Sequence, residues 1–133
     1  ILGLTRDTTA EQITQAALKA IALQSFDVIA AMQIDSGLTL PMLKVDGGAT
    51  RNHYLMEFQA GLLGAPVVAP RNAETTVLGA AYLAGLGSGL WKSPDELQTL
   101  NPPAATDHPV MNETRRKREL ELWKKAIGRV LTK

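Results

Sequence analysis

The sequence lacks cysteine, a strong charge of one sign and long apolar runs. Absence of cysteine excludes disulfides, thiol nucleophiles and thiolate metal sites, and fits a reducing compartment such as the cytoplasm. Fourteen Lys and Arg residues against 13 Asp and Glu residues leave a net charge of +1, too little to steer the whole molecule onto nucleic acid or an anionic membrane. No apolar run approaches the roughly eighteen residues that span a bilayer, and no charged-then-apolar leader opens the chain. These absences predict a cytoplasmic protein with no nucleic-acid partner and no membrane span.

The 133 residues present suit one domain with one core. Hydrophobic residues make up 45% and charged residues 20% of the chain, a balance that argues against global disorder. The sequence begins with Ile1 in an apolar stretch rather than with Met. We therefore expect it to be a piece of a longer chain.

The first half of the sequence predicts a long helix followed by a strand. Thr8 and Glu11 have capping-box spacing, and apolar residues then recur at helical spacing to about Gln33. Gly37 can end this helix because glycine enters the left-handed region without a Cβ penalty. Residues 42–45 are short, apolar and followed by two glycines, which predicts a buried strand.

The second half continues the alternation of helix and strand. The predicted order is a helix over about 51–63, a strand over 66–69, a helix capped by Thr75 or Thr76, a surface loop over 93–109, and an amphipathic helix containing Leu120, Trp123, Ile127 and Val130. This order predicts an α/β fold with a parallel element. Two clear strands are too few for a stable sheet, so we expect strands from outside this sequence to complete it.

The segment Leu43-Lys44-Val45-Asp46-Gly47-Gly48-Ala49-Thr50 is the best candidate for a functional motif. Two glycines after a strand let a ring or a phosphate lie against the backbone, and the following helix N-terminus offers unpaired N–H groups. The amide of Asn52, in the first turn of that helix, can hydrogen-bond an adenine or ribose edge. The alternative is a tight strand-to-helix turn closed by an Asp or Thr cap, and Asp46 stays unassigned between these interpretations.

This segment resembles the adenosine-contacting motif of the actin, Hsp70 and sugar-kinase superfamily. Within that superfamily, residues 1 to 100 are similar, in order, to the C-terminal part of the glycerol-phosphorylating members of the FGGY carbohydrate kinases. The supporting segments are Gly3-Leu4-Thr5-Arg6, Gln12-Ile13, Ala16-Ala17-Leu18, Asp35-Ser36-Gly37, Leu55-Met56-Glu57-Phe58-Gln59, Leu63-Gly64, Glu74-Thr75-Thr76, residues 78–85 and Trp91. Lys19 and Asp7 depart from the family signature.

The resemblance implies a ribonuclease H-like (actin-like ATPase) domain fragment, an incomplete sheet covered by helices. Residues 1–100 would be the C-terminal portion of the ATP-binding domain, and 101–133 a surface loop and an amphipathic helix packing on that domain. Gly47, Gly48, Ala49 and Asn52 would contact ATP. The catalytic base, the glycerol-binding residues and the magnesium ligands would lie upstream, so this sequence contributes no catalytic or metal-binding residue.

The function implied is transfer of the γ-phosphoryl group of Mg-ATP to glycerol, giving glycerol 3-phosphate. The enzyme would be homo-oligomeric and cytoplasmic, and we expect this chain alone to be inactive. One alternative is a kinase for a pentulose or another polyol, because acceptor residues lie upstream. A second is a non-catalytic interaction module that keeps the fold and makes contact through its basic C-terminal helix.

Three weaker signals have structural interpretations. Residues 85–89 are glycine-rich but follow a helix, where the negative dipole end repels phosphate, so we interpret them as a flexible C-cap. The basic run 115–118 is interspersed with glutamates and predicts a solvated helix face. His53 and His108 are far apart in sequence, and we expect both at the surface.

Overall fold

The computed structural model describes residues 1–131. In that part of the chain, four α-helices and a three-stranded sheet alternate, with two short 3-10 turns at 48–51 and 94–97. In chain order the elements are α1 Ala10–Ser36, β1 Leu43–Lys44, α2 His53–Leu63, β2 Val67–Pro70, α3 Thr75–Gly87, β3 Pro103–Asp107 and α4 Glu113–Val130. The predicted α/β alternation with an incomplete sheet is confirmed.

The capping box of helix α1 lies one residue later than the sequence predicts. Thr9 is the N-cap, its side chain accepts from the backbone N–H of Gln12, and the Gln12 side chain returns the bond. The pair Thr8 and Glu11 has the same spacing, so spacing alone could not separate the two boxes. The Thr9 hydroxyl, and then the backbone N–H of Glu11 itself, lower the pKa of Glu11. The predicted glycine end is confirmed, since Gly37 caps the helix with φ 68°.

Helix α1 bears on the expectation that the chain has no membrane span. It contains an 18-residue window with mean hydropathy 1.3 and is therefore long and apolar enough, by length and composition alone, to cross a membrane. A single helix of this kind is weak evidence for a span. Only 11% of the window is buried, so α1 differs from the mostly buried core helices that pass the same test. Lys19 and Asp27 interrupt the apolar stretches of α1, so the absence of a membrane span stays a prediction.

The sheet has β2 at its centre. Strand β1 pairs with β2 in parallel, with Leu43 opposite Val67, and β3 pairs with β2 antiparallel, with Asp107 opposite Val67. Strand β3 corrects the prediction of a surface loop over 93–109. Pro103, the first residue of β3, has no backbone N–H to donate. The five residues of β3 alternate too weakly between apolar and polar side chains to predict a strand. The segment is a strand because it pairs with β2.

Both internal helix starts differ from the prediction. The predicted helix over 51–63 is a 3-10 turn, Gly48–Arg51, followed by α2 with Asn52 as its N-cap. Neither Thr75 nor Thr76 caps α3: Glu74 is at the N-cap, and no side chain satisfies the first N–H groups. The Thr75 hydroxyl donates instead to the Asp46 carboxylate.

The core lies between α1, α2 and one face of the sheet. Its buried members are Ala22, Leu23, Leu55, Met56, Phe58, Ala60, Leu62 and Val67. Helix α4 covers this core through partly buried Leu120 and Trp123, which confirms part of the predicted apolar stripe. Val130, at the end of that stripe, is 68% exposed, so docking involves the middle of α4 rather than its last turn.

Polar contacts fix α4 to the two neighbouring helices. The Trp123 indole N–H donates to Asp27 at 2.6 Å, and Lys19 forms an ion pair with Glu119 at 2.8 Å. The Arg116 Nε donates to the backbone carbonyl of Leu62 at 2.6 Å. That carbonyl lies in the last turn of α2, where the backbone carbonyl groups have no hydrogen-bond partner within the helix. The basic run 115–118 is therefore not only a solvated face.

The glycine-rich segment 85–89 is correctly assigned to a helix end, with one addition. Helix α3 continues to Gly87, and Gly89 has φ 80°. Gly85 is buried against the Trp91 ring, with which an added Cβ would collide. This glycine is thus required for close packing rather than for flexibility.

Candidate functional site

The segment Gly47–Ala49 follows β1 and contains the N-cap and first residues of the 3-10 turn that precedes α2. Gly47 has φ 81° and ψ 173°, a conformation that is essentially restricted to glycine. Its N–H donates to the Ala73 carbonyl at 3.0 Å, and its own carbonyl accepts from the Thr50 hydroxyl at 2.8 Å. Gly47 therefore has a structural reason to be glycine, whether or not a ligand binds.

Gly48 differs from its neighbour. A Cβ added to Gly48 would meet no atom within 4 Å, and its φ is outside the positive range. Gly48 and the following Ala49 are both exposed. Among the described residues, no packing contact or backbone conformation therefore requires a glycine at position 48.

Asn52 lies at the N-cap of α2 rather than inside its first turn. Its Oδ1 accepts from the Leu55 N–H at 3.0 Å, and its own backbone N–H donates to the Ala49 carbonyl at 3.1 Å. The helix therefore has the side-chain cap that a tight strand-to-helix turn requires, but Asn52 supplies it instead of an Asp or Thr. Capping uses only the amide oxygen, so Nδ2 keeps its two donors for another acceptor.

Asp46 fixes the other side of the turn. Its carboxylate accepts from the Thr75 hydroxyl, which joins the end of β1 to the first residue of α3. A cleft of about 380 Å³ lies beside this contact, on the sheet face opposite α2, with Lys44, Gln98 and Asn101 among its lining residues. None of Gly47, Gly48, Ala49 and Asn52 lines it. The cleft therefore adjoins the predicted site without containing it.

The residue after Asn52 makes a contact that sequence reasoning missed. His53 Nδ1 lies 2.8 Å from Asp107 Oδ1; the His53 side chain is 81% exposed and the Asp107 side chain 8%. His53 and His108 are at the surface as predicted. No local spacing could indicate the pair, because β3 itself was not predicted. Within residues 1–131, no three His, Cys, Asp or Glu side chains group as metal ligands would.

The fold defines the class of protein. A solved structure of glycerol kinase from Plasmodium falciparum with ADP has a TM-score of 0.84 and 33% identity, covering 98% of this chain and 26% of that one. Xylulose kinase from Lactobacillus acidophilus has a TM-score of 0.73 over 97% of this chain and, at 16% identity, supports the fold alone. The fold is ribonuclease H-like, as in the actin-like ATPases, and its sheet is incomplete.

The family follows from sequence comparison. A family model described as the FGGY family of carbohydrate kinases, C-terminal domain, matches residues 1–88. Glycerol kinases from Leptospira biflexa and Streptococcus sanguinis are 53% and 48% identical to this chain over 132 and 127 residues. This chain belongs to the FGGY family of carbohydrate kinases.

The matched relatives are much longer than this chain. The match to the Leptospira relative spans 99% of this chain and 26% of that protein. The match to the Streptococcus relative spans 96% of this chain and 25% of that protein. The match continues beyond residue 100, the point to which the motifs were traced. The predicted division into 1–100 and 101–133 stays a prediction, although β3 joins the second segment to the sheet.

Proposed function

We propose that this chain forms one wall of the nucleotide site in a cytoplasmic, homo-oligomeric glycerol kinase-like enzyme, which transfers the γ-phosphoryl group of ATP to glycerol. The observation that carries the proposal is the exposed turn at Gly48, where nothing in the fold requires glycine, in a chain 53% identical to a glycerol kinase. The relative solved with ADP supports a nucleotide as the ligand.

The local geometry fits a nucleotide. The backbone of Gly48 and Ala49 has no side chain large enough to hold a ring or ribose away. Beside it, Asn52 has an amide whose orientation is fixed by its capping bond, so its NH2 group can donate to a ligand acceptor without first losing side-chain entropy. These residues bind and orient; none is placed to move a proton.

ATP with magnesium supplies the phosphoryl group and the charge neutralisation that phosphoryl transfer needs. The described residues contain no cluster of metal ligands, so we assign magnesium no ligand in this chain. The base and the acceptor pocket are likewise assigned to the rest of the longer enzyme. This chain contributes affinity for the nucleotide and fixes its position. Holding the two reactants in the geometry of the reaction lowers the activation barrier of phosphoryl transfer.

A chimera tests this proposal. In the glycerol kinase of Leptospira biflexa, the 132 matched residues, 26% of that protein, are replaced by those of this chain. We expect a folded chimera with ATP-dependent glycerol phosphorylation and an ATP KM within about tenfold of the parent. A folded chimera that binds no nucleotide would overturn the proposal and favour the non-catalytic module. The isolated chain, expected to be inactive, is the negative control.

The acceptor is tested separately, since the chimera takes its acceptor pocket from the relative. The longer protein that carries this chain is assayed with glycerol and with D-xylulose. We expect kcat/KM to favour glycerol by at least about tenfold. A preference for xylulose would transfer the proposal to a pentulose kinase while leaving the nucleotide wall unchanged.

A further inference from the structure

Asp107 is a buried carboxylate for which the proposed nucleotide contacts give no reason. Of the residues described, only Gln59 and Asp107 are polar and buried. A buried carboxylate is costly unless a hydrogen-bonded partner compensates it. Its partner is the His53 imidazole, with 2.8 Å between Nδ1 and Oδ1. The pair thus compensates a charge that the fold has placed beneath the N-terminus of α2.

The two members of the pair belong to different parts of the fold. Asp107 ends β3 and lies opposite the fully buried Val67 of the central strand, so its backbone is held by the sheet. His53 is the first residue of α2 and directly follows the N-cap Asn52. Their contact therefore connects the start of α2 to the sheet, independently of the apolar packing further along the helix.

The position of this connection matters for the nucleotide wall. Hydrogen bonds link Asn52 to Ala49 and Leu55. Both partners belong to the same turn and helix as Asn52, so these bonds do not fix Asn52 relative to the rest of the fold. The contact of its neighbour His53 with Asp107 is a restraint from a separate element. Near-attack geometry is sensitive to displacements of about 1 Å, so a restraint next to Asn52 affects ligand position more than one at the far end of α2.

We propose that the His53–Asp107 pair is a positioning element of the nucleotide wall, which holds Asn52 in place for the nucleotide. This inference rests on the proposed function. His53 acts through Asn52 and is a positioning residue. An approach of 2.8 Å between Nδ1 and a carboxylate oxygen is attractive only if Nδ1 carries a proton, so the pair needs an N–H group at that position.

The donor requirement defines the test variants in the chimera. His53→Ala removes the donor, whereas His53→Asn keeps an N–H donor at the equivalent distance from Cβ. His108→Ala is the matched control, since this neighbour of Asp107 is exposed and makes no hydrogen bond or ion pair among residues 1–131.

We expect His53→Ala to raise the ATP KM by about fivefold, with the glycerol KM changed by less than about twofold. His53→Asn and His108→Ala should both keep the ATP KM within about twofold of the unsubstituted chimera. Equal losses for ATP and glycerol with a lower Tm, or no rescue by His53→Asn, would overturn the positioning role. An unchanged ATP KM in His53→Ala would also overturn it.

Direct ADP binding to the unsubstituted chimera separates the two proposals. If that chimera binds ADP and His53→Ala binds it equally well, the positioning role fails and the nucleotide wall remains. If the unsubstituted chimera binds no ADP, the proposed function fails, and the positioning role fails with it.

Discussion

At the residue scale, two adjacent glycines have different physical origins. Gly47 adopts φ 81° and ψ 173°, which a side chain would strain, while Gly48 has open space and no positive φ. A sequence pattern treats the two as one motif. Only the backbone separates Gly47, whose conformation shapes the turn, from Gly48, whose conformation does not require glycine.

This difference predicts opposite effects of two substitutions in the chimera. Gly48→Val should raise the ATP KM by about tenfold or more, because its methyl groups occupy ligand space, and should leave Tm nearly unchanged. Gly47→Ala should destabilise the fold by about 1–3 kcal/mol and lower Tm. Thermal melts and the KM values for ATP and glycerol check both. A large Tm loss with Gly48→Val would contradict this assignment.

The two functions of Asn52 can also be separated. Asn52→Ser keeps a side-chain oxygen for the cap but loses the amide NH2, so Tm should hold while the ATP KM rises about threefold to tenfold. Asn112 is the matched control, because its Oδ1 caps α4 at 2.9 Å from the Arg115 nitrogen. Asn112→Ala should lower stability by about 1 kcal/mol without changing the ATP KM. Unchanged ATP kinetics in Asn52→Ser would remove Asn52 from the site.

At the element scale, sequence periodicity located the elements with strong local signals. The four helices and the first two strands were predicted because apolar spacing, glycine ends and short apolar runs are local properties. Strand β3 was missed because its pairing with β2 is a tertiary property that Pro103 and a weak alternation conceal. The His53–Asp107 contact depends on β3 and was missed with it.

Helix α4 shows how one cluster of charges divides between structural and solvated positions. Arg116 donates to the Leu62 carbonyl and lies over the Phe26 ring, and its side chain is 28% exposed. Lys117, one position on, is 71% exposed and has one distant ion pair with Glu113, at 3.9 Å. Sequence composition gives the two residues the same character, while packing separates them.

This division predicts unequal stability effects. Arg116→Ala should reduce the free energy of unfolding by about 1–2 kcal/mol, since the Leu62 carbonyl loses a charge-assisted bond. Lys117→Ala, the matched control, should change it by less than about 0.5 kcal/mol, as exposed pairs contribute little. Thermal melts of the two chimeras measure the difference. Equal melting temperatures would show that Arg116 is also a solvated residue.

At the scale of the whole molecule, the apolar surface is large for so small a core. Ile21, Val28 and Met32 are exposed and share one face of α1. In the fold of the longer relatives this face has further chain available to cover it, since this chain spans 26% of the Leptospira protein. In residues 1–131 taken alone, these three apolar side chains are therefore exposed along one face of α1.

We expect the isolated chain to self-associate through this face. Sedimentation velocity should show a mass that rises with concentration, and the double substitution Val28→Glu and Met32→Glu should reduce the association. Val130→Glu, which changes an exposed residue on α4, serves as the control and should leave it unchanged. Ideal monomer behaviour of the unsubstituted chain at high concentration would contradict the prediction.

The central claim is that Gly48, Ala49 and Asn52 form a wall of the nucleotide site, and a crystal structure of the chimera with ADP tests it most directly. The account predicts that the nucleotide lies in van der Waals contact with the backbone of Gly48 and Ala49, with Asn52 Nδ2 within hydrogen-bond distance of it. ADP bound with no atom within 4 Å of these three residues would contradict the account.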